Sequence, residues 1–175
     1  LNAVYFPMKK SLVLSVVISM LLIAVPARAV DYVLPDLDGK MQPLRQYLGK
    51  WVVVNYWATW CGTCRQELGD LIALHEANRD DDIVVVGINF ESISPQRLRA
   101  FVEAQGIPYP ILRSPPIPVT PLGKVPALPT TYIIDPSGKA VAGEVGLVTQ
   151  RDLETYISNR KLHKGQGKRD GAGDS

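Results

Sequence analysis

Cysteine is scarce in this sequence, because the 175 residues include only Cys61 and Cys64. Two cysteines exclude a disulfide-dense secreted scaffold, a four-cysteine zinc site and an iron–sulfur cluster held only by the chain's own thiolates. A strong charge of one sign is also lacking, since the formal net charge is +2. Nucleic-acid-binding proteins need a marked basic bias, so we expect no nucleic-acid partner. The sequence has no internal repeat, and its length suits a single domain.

The N-terminal segment has the pattern of an export signal. Two lysines precede an apolar run over residues 12–24, and a small-x-small sequence ends at Ala29. This order predicts a signal peptide over residues 1–29, in which residues 1–7 extend the start upstream and cleavage follows Ala29. An uncleaved membrane anchor is the alternative, because the uncharged stretch reaches the short limit for crossing a bilayer. Both interpretations place the rest of the chain outside the cytoplasm, and we expect a periplasmic protein.

The rest of the sequence alternates between strand and helix patterns. Buried strands are predicted where nearly all residues are apolar and β-prone, at 51–57 and 83–88. Helices are predicted over 62–79, after Ser94-Pro95 and after Thr149, and a hairpin is predicted across the turn at 135–138. Together these patterns predict an α/β domain over residues 30–160, with a mixed central β-sheet and helices on both faces. A flexible polar tail is predicted over residues 161–175.

The two cysteines occur in the sequence Cys61-Gly62-Thr63-Cys64, between a predicted buried strand and the start of a helix. Free backbone N–H groups and the helix dipole favour a thiolate at this position. A lowered pKa would make the Cys61 thiol a nucleophile at neutral pH. Cys64 lies about one turn further along and can resolve a mixed disulfide. The spacing and its context therefore favour redox catalysis.

Three other interpretations of the cysteine pair remain open at this point. The first is a structural disulfide, although so small a ring constrains little of the unfolded chain. The second is a zinc site, which needs two more ligands from His75, His163 or carboxylates. The third is a peroxidase of the peroxiredoxin pattern, in which a Thr or Ser precedes the reactive cysteine by three residues. This sequence has Ala58 in that place.

Two separated motifs resemble those of the thioredoxin superfamily. At residues 52–68 the chain reads VVVNYWATWCGTCRQEL, which resembles the active-site signature of the TlpA/ResA-type exported thiol–disulfide oxidoreductases. That group includes the cytochrome c maturation thioredoxins. At residues 125–139 the chain reads VPALPTTYIIDPSGK, which is similar to their second signature, and AQGIPYPIL at 104–112 lies between the two. The resemblance covers residues 32–158 and implies a thioredoxin-like fold.

The resemblance also implies roles for individual residues. Cys61 would be the attacking thiol and Cys64 the resolving one. Pro129 matches the cis-proline that lies beside the dithiol in this family. Glu67 matches an acid of this branch, and we hypothesise that it carries the proton of Cys64 or raises the pKa values of the cysteines. The alternative for Glu67 is an ordinary solvated helix carboxylate.

Substrate contacts are implied on both sides of the dithiol, and the backbone of Leu128 is expected to pair with substrate as a strand would. The residues expected to bind substrate are Trp60, Gly62, Thr63, Leu128 and Thr130. Asn55 occupies the place of a buried proton-shuttling Asp of cytoplasmic thioredoxins, and Asn cannot titrate. The sequence departs from the family at Thr63, where many relatives have proline, and at Gly69, which replaces a proline that usually kinks the helix.

The resemblance implies thiol–disulfide exchange in the reducing direction. The pair would accept electrons from a membrane donor and pass them to an oxidised protein substrate, and the family most often suggests apocytochrome c. We expect a monomer with no metal and no cofactor besides the redox-active Cys61–Cys64 disulfide. A disulfide oxidase, an isomerase or a general reductase is the alternative within the class. A copper metallochaperone on the same fold is the alternative from another class, although such proteins usually space their cysteines more widely and add a histidine.

Overall fold

The computed structural model describes residues 29–78 and 82–170, and of residues 164–170 it describes the backbone only. The predicted signal peptide lies outside these residues except for Ala29, and so does the end of the predicted tail at 171–175. Within the described part, no helix has both the length and the apolar content that a membrane span requires.

Strands and helices alternate along the chain in an order close to the predicted one. The elements are β1 (Val33–Pro35), β2 (Met41–Pro43), a 3₁₀ helix (Leu44–Tyr47), β3 (Trp51–Trp57), α1 (Gly62–Ala77), β4 (Ile83–Phe90), α2 (Pro95–Ala104), β5 (Ile111–Ser114), β6 (Val119–Thr120), β7 (Gly123–Lys124), β8 (Thr130–Ile134), β9 (Ala140–Val145) and α3 (Gln150–Asp170). Five of the strands form one sheet in the order β5-β4-β3-β8-β9. In it β3, β4 and β5 are parallel, whereas β8 and β9 are antiparallel to their neighbours. The predicted mixed sheet is confirmed.

The central strand β3 is buried along its whole length. Val53 and Trp57 face one apolar cluster, whereas Val52 and Val54 face another on the opposite side of the sheet. Side chains of a strand alternate between faces, so a nearly continuous apolar run is what a strand covered on both faces requires. The exception is Asn55, a buried polar residue in the middle of the strand.

The three α-helices pack on one face of this sheet. Leu71 of α1, Leu98 of α2 and Leu153 of α3 belong to the same apolar cluster as Val53. The other face, where helices were also expected, is covered by Leu44 of the 3₁₀ helix and by residues of the β1–β2 and β6–β7 regions. Parallel crossovers are right-handed, and the steps from β3 to β4 and from β4 to β5 run in the same direction across the sheet. Both connecting helices therefore lie on the same side.

Capping residues begin the helices where the sequence predicts. Ser94 accepts a hydrogen bond from a main-chain N–H in the first turn of α2, and Pro95 takes the first helical position. Thr149 and Asp152 exchange hydrogen bonds at the start of α3. The left-handed backbone of Gly106, with φ of 63°, follows the end of α2. These are the ordinary start and stop signals of helices.

The last helix is longer than predicted. The predicted domain ends at residue 160, whereas α3 continues to Asp170. No glycine or proline occurs in this helix before Gly165, so no helix-breaking residue ends it at the predicted boundary. Lys161 also forms an ion pair with Asp82, with 3.0 Å between nitrogen and oxygen. The first part of the predicted tail is therefore helical.

Substitution by alanine should have opposite effects on stability at Gly87 and at Gly69. A Cβ at Gly87 in β4 would lie 2.7 Å from Ile111 Cδ1 and 2.9 Å from Trp57 Nε1. Overpacking of this kind costs about 1–3 kcal/mol, so we expect Gly87→Ala to lower the free energy of unfolding by this amount. A Cβ at Gly69 in α1 would meet nothing within 4 Å. Gly69→Ala is the matched control and should raise stability by up to about 1 kcal/mol, because alanine favours the helix. Urea unfolding of both variants tests this, and a Gly87→Ala variant as stable as the wild type would contradict it.

Candidate active site

The turn between β3 and α1 carries both cysteines. Cys61 is the N-cap residue of α1, and its sulfur accepts a hydrogen bond of 3.1 Å from the main-chain N–H of Cys64. The two sulfurs form a disulfide, and the two Cα atoms are 5.3 Å apart. The cysteines are only 5% and 6% exposed, whereas Gly62 and Thr63 between them are exposed. This places the Cys61 sulfur at the end of the helix where the helix dipole stabilises a thiolate.

An exposed tryptophan lies next to this buried pair. Trp60 directly precedes Cys61 and is 68% exposed, whereas Trp57 at the end of β3 is buried. Large aromatic side chains of this kind are enriched where proteins bind other proteins. The position of Trp60 suits contact with a macromolecular substrate.

The second motif forms a tight turn before β8. The peptide bond between Leu128 and Pro129 is cis, as the resemblance implies. The Pro129 carbonyl accepts a hydrogen bond from the N–H of Gly146 at 2.9 Å, and the Thr130 hydroxyl donates to the carbonyl of Ala127 at 2.7 Å. Among the predicted substrate-binding residues, Trp60, Gly62 and Thr63 are exposed, Leu128 is half-buried and Thr130 is buried. Leu128 packs against the apolar cluster that contains both cysteines and also against the cluster on the other face of the sheet.

Glu67 is a buried carboxylate on α1, with 1% exposure. Its Oε1 accepts a hydrogen bond from Asn55 Nδ2 at 2.7 Å, and its Oε2 accepts one from the N–H of Val148 at 3.1 Å. Burial raises the pKa of Glu67, the two hydrogen bonds act in the opposite direction, and the charge of Asp70 raises it further. The solvated carboxylate that was the alternative is therefore wrong. Glu67 lies one turn after Cys64 on the buried side of the helix.

One carboxylate at the site is not among the residues predicted from the sequence. Glu91 follows β4 and accepts hydrogen bonds from the Thr59 N–H at 2.7 Å, the Thr59 hydroxyl at 3.2 Å and Asn89 Nδ2 at 2.8 Å. In the same turn, the N–H of Cys61 donates to the carbonyl of Ala58 at 3.1 Å. Glu91 thus holds the turn that leads into the redox pair. The signal available in the sequence was its place after the carboxyl end of a buried parallel strand, where functional loops gather.

Comparisons with known proteins identify the family. The model of the AhpC/TSA family matches residues 25–142. The chain belongs to the AhpC/TSA family. It is 30% identical over 139 residues to the thiol-disulfide oxidoreductase ResA of Geobacillus thermodenitrificans, and the match covers 79% of each chain.

Solved structures of similar proteins share the fold. A DsbF homologue from Corynebacterium diphtheriae matches with a TM-score of 0.68 and 35% identity, over 76% of this chain and 86% of that one. A secreted thiol-disulfide isomerase from Corynebacterium glutamicum matches with a TM-score of 0.66 and 30% identity, over 72% and 80%. The thioredoxin-like fold and the family resemblance are confirmed. With the Cys61–Cys64 pair in place, the protein is a thiol–disulfide oxidoreductase.

The raised pKa of Glu67 predicts a pH-dependent contribution to stability. When a carboxyl has a higher pKa in the folded state than in the unfolded state, folding is accompanied by proton uptake at pH values between the two. For Glu67 this window begins at the ordinary pKa of 4.5. The wild type should therefore lose stability relative to Glu67→Gln as pH rises from this value through the raised pKa, and the difference should level off above it. Urea unfolding of the oxidised proteins between about pH 4 and 8 measures this.

The exposed Glu103 on α2 provides the matched control. Glu103→Gln should not reproduce the pH-dependent difference seen for Glu67→Gln. A difference between wild type and Glu67→Gln that stays constant over the whole range would contradict the raised pKa.

Proposed function

We propose that this oxidoreductase is an exported reductant of protein disulfides. The observation that carries the proposal is the placement of Cys61 at the start of α1, with Glu67 buried one turn beyond Cys64. The exposed Trp60 and the cis-proline turn give the pair a surface on which a protein substrate can lie. The ResA relative, named as a thiol-disulfide oxidoreductase, supports the same class of reaction.

In the proposed reaction, the reduced pair transfers two electrons to a substrate disulfide. The Cys61 thiolate attacks one substrate sulfur, the substrate S–S bond breaks, and the other substrate sulfur leaves as a thiolate that takes up a proton. Cys64 then loses its proton and attacks the sulfur of Cys61 in the mixed disulfide. The Cys61–Cys64 disulfide forms, and the substrate leaves as a dithiol. A donor dithiol reverses these steps on the protein and restores the reduced pair.

Glu67 is the proposed acceptor of the proton from Cys64. The two residues are three positions apart on α1, which brings their side chains to neighbouring places on the helix surface. Both are buried, so the bulk solvent offers Cys64 little direct help in losing its proton. A carboxylate with a raised pKa is a stronger base than an exposed one and suits proton exchange with a thiol.

Export and partners complete the proposal. The pattern of residues 1–29 supports a periplasmic location, with either a cleaved signal or a retained anchor. A membrane donor supplies electrons, apocytochrome c is the favoured protein substrate, and the protein acts as a monomer with its own disulfide as the redox group.

The relative from Corynebacterium glutamicum, described as a secreted isomerase, favours oxidation or isomerisation as the second candidate function. No observation on the described residues favours the copper-chaperone alternative.

The order of attack predicts different behaviour of the two cysteine variants. Cys61→Ser should abolish insulin reduction, because the attacking thiol is lost. Cys64→Ser should also abolish turnover, but it should accumulate a mixed disulfide through Cys61, because no thiol resolves it. Non-reducing electrophoresis and mass spectrometry detect this species. Accumulation of the mixed disulfide in Cys61→Ser and not in Cys64→Ser would reverse the assigned roles.

The reduction potential decides the direction of electron flow. We expect the Cys61–Cys64 couple to lie nearer to about −270 mV, the value of thioredoxin, than to about −120 mV, the value of a strong oxidant. Equilibration of the protein with glutathione buffers of known ratio measures it. A value near the oxidising end would overturn the reducing role in favour of the oxidase alternative.

A further inference from the structure

We propose that Asn55 and Thr131 act as a positioning pair that orients the Glu67 carboxylate for proton exchange with Cys64. The proposal rests on the function proposed above for Glu67. Asn55 hydrogen-bonds to the Glu67 carboxylate and to Thr131. The two side chains would therefore act on Cys64 through the carboxylate.

The geometry begins with the sheet register. Asn55 of β3 lies directly opposite Thr131 of β8 in the antiparallel pair. Opposed residues of such a pair direct their side chains to the same face, and here that is the face covered by α1. Asn55 Nδ2 donates to Thr131 Oγ1 at 3.0 Å and to Glu67 Oε1 at 2.7 Å. Both side chains of the pair are buried, at about the same 2% exposure.

The hydroxyl of Thr131 restrains the rotation of the Asn55 amide, whereas the ionised Glu67 determines which end of the amide faces it. The Asn55 amide group has two N–H donors on its nitrogen and an acceptor oxygen, and both donors are used by the two contacts. With the amide turned over, the Asn55 oxygen would face the carboxylate oxygen of Glu67, and two acceptors would be opposed without a proton between them. Thr131 Oγ1 accepts one N–H of Asn55 Nδ2 and so restrains the plane of the amide in the rotation that directs the other N–H at Glu67. Thr131 thereby acts on the carboxylate without touching it.

A neutral donor is the appropriate partner for this carboxylate. Asn55 stabilises the charged form of Glu67 against the cost of burial, yet it has no proton of its own to exchange. The proton is therefore confined to Glu67 and the thiol. An Asp at position 55 would instead place two carboxyl groups in hydrogen-bonding contact, and they would share one proton.

The charged form of Glu67 depends on the hydrogen bonds that its carboxylate accepts. Asp70 on the same helix raises the pKa of Glu67, and Glu67 in turn contributes to the raised pKa of Tyr109 from the segment before β5. The charge that shifts the pKa of Glu67 is the negative charge of Asp70 on α1. Tyr109 in turn contacts the ring of His75, also on α1, with 5.9 Å between ring centroids. From β3 and the segment before α3 the carboxylate receives neutral donors, the amide of Asn55 and the N–H of Val148, and these two bonds hold the charged form.

The test compares the pH profiles of Thr131→Val and Thr131→Ser. Valine fills the space of threonine but lacks the acceptor oxygen, whereas serine keeps it. The pre-reduced full-length protein reduces a synthetic disulfide peptide in a single turnover, at a peptide concentration high enough that attack by Cys64 limits the rate. The change in tryptophan fluorescence follows the reaction between about pH 5 and 9. We expect Thr131→Val to move the midpoint of the profile by about half a pH unit or more, while Thr131→Ser stays near the wild type.

The same substitution in a Glu67→Gln background separates positioning from a general effect on the fold. If Thr131 acts through the carboxylate, Thr131→Val should produce no further change in the midpoint once Glu67 is replaced. An equal shift in both backgrounds would overturn the positioning role. Asn55→Asp provides a second, independent variant, and it should move the midpoint further than Thr131→Val does.

The outcomes distinguish the two proposals. If Glu67→Gln itself leaves the profile unchanged while Cys61→Ser abolishes the reaction, the proposed role of Glu67 is wrong and the positioning pair is wrong with it. If Glu67→Gln alters the profile and Thr131→Val does not, the role of Glu67 stands and the positioning pair alone is overturned.

Discussion

A buried hydrogen bond joins the central strand to the helix that carries the cysteines. Asn55 Nδ2 on β3 lies 2.7 Å from Glu67 Oε1 on α1, and the two side chains are 2% and 1% exposed. A hydrogen bond to a carboxylate is stronger in such a low-dielectric place than in water, and either partner left alone would be unsatisfied. Sliding the helix along the strand would therefore break this hydrogen bond and leave both buried groups unsatisfied. The positions of Cys61 and Cys64 at the start of α1 depend on this constraint.

The same arrangement gives the two thiols different surroundings. Cys61 caps the helix, where the dipole and the N–H of Cys64 favour negative charge on its sulfur. Cys64 lies within the first turn and has the carboxylate of Glu67 one turn beyond it, so negative charge on its sulfur is less favoured. Such an asymmetry would make the first thiol the better nucleophile and leave the second in need of a base. The combination of a helix start and a buried acid therefore supports the proposed order of attack.

The sequence predicted those parts of the fold that have a local pattern. The apolar run of β3 and the Ser94-Pro95 start of α2 are such patterns, and the structure has both elements at those places. The β1–β2 and β6–β7 pairs consist of strands of two or three residues, which are too short to show a period. The placement of the α-helices on one face depends on strand order, which only the pairing of distant segments reveals.

At the site, the cysteine pair was predictable because its spacing and its position after a strand are both features of one short stretch of sequence. The burial of Glu67 was not, since a carboxylate in a helix is usually solvated and its partners Asn55 and Val148 come from distant parts of the chain. Glu91 was missed for the same reason, because its hydrogen bonds to Thr59 join segments that are 32 residues apart. The cis bond before Pro129 came from the resemblance alone, because trans is the usual isomer of an X–Pro bond and is what the residues by themselves predict.

The burial of the sulfurs also constrains how a substrate can approach. With the cysteines 5% and 6% exposed and Trp60 68% exposed, a disulfide in the interior of a folded protein could not reach the sulfur of Cys61 without local unfolding. In the proposed function, a disulfide in an extended or unfolded segment would reach it, because its chain would lie past Trp60 and along the proposed substrate contact at Leu128. Main-chain hydrogen bonds would supply affinity in this arrangement without demanding a particular sequence. The proposed reductase would therefore act best on substrates whose disulfides are presented before folding is complete.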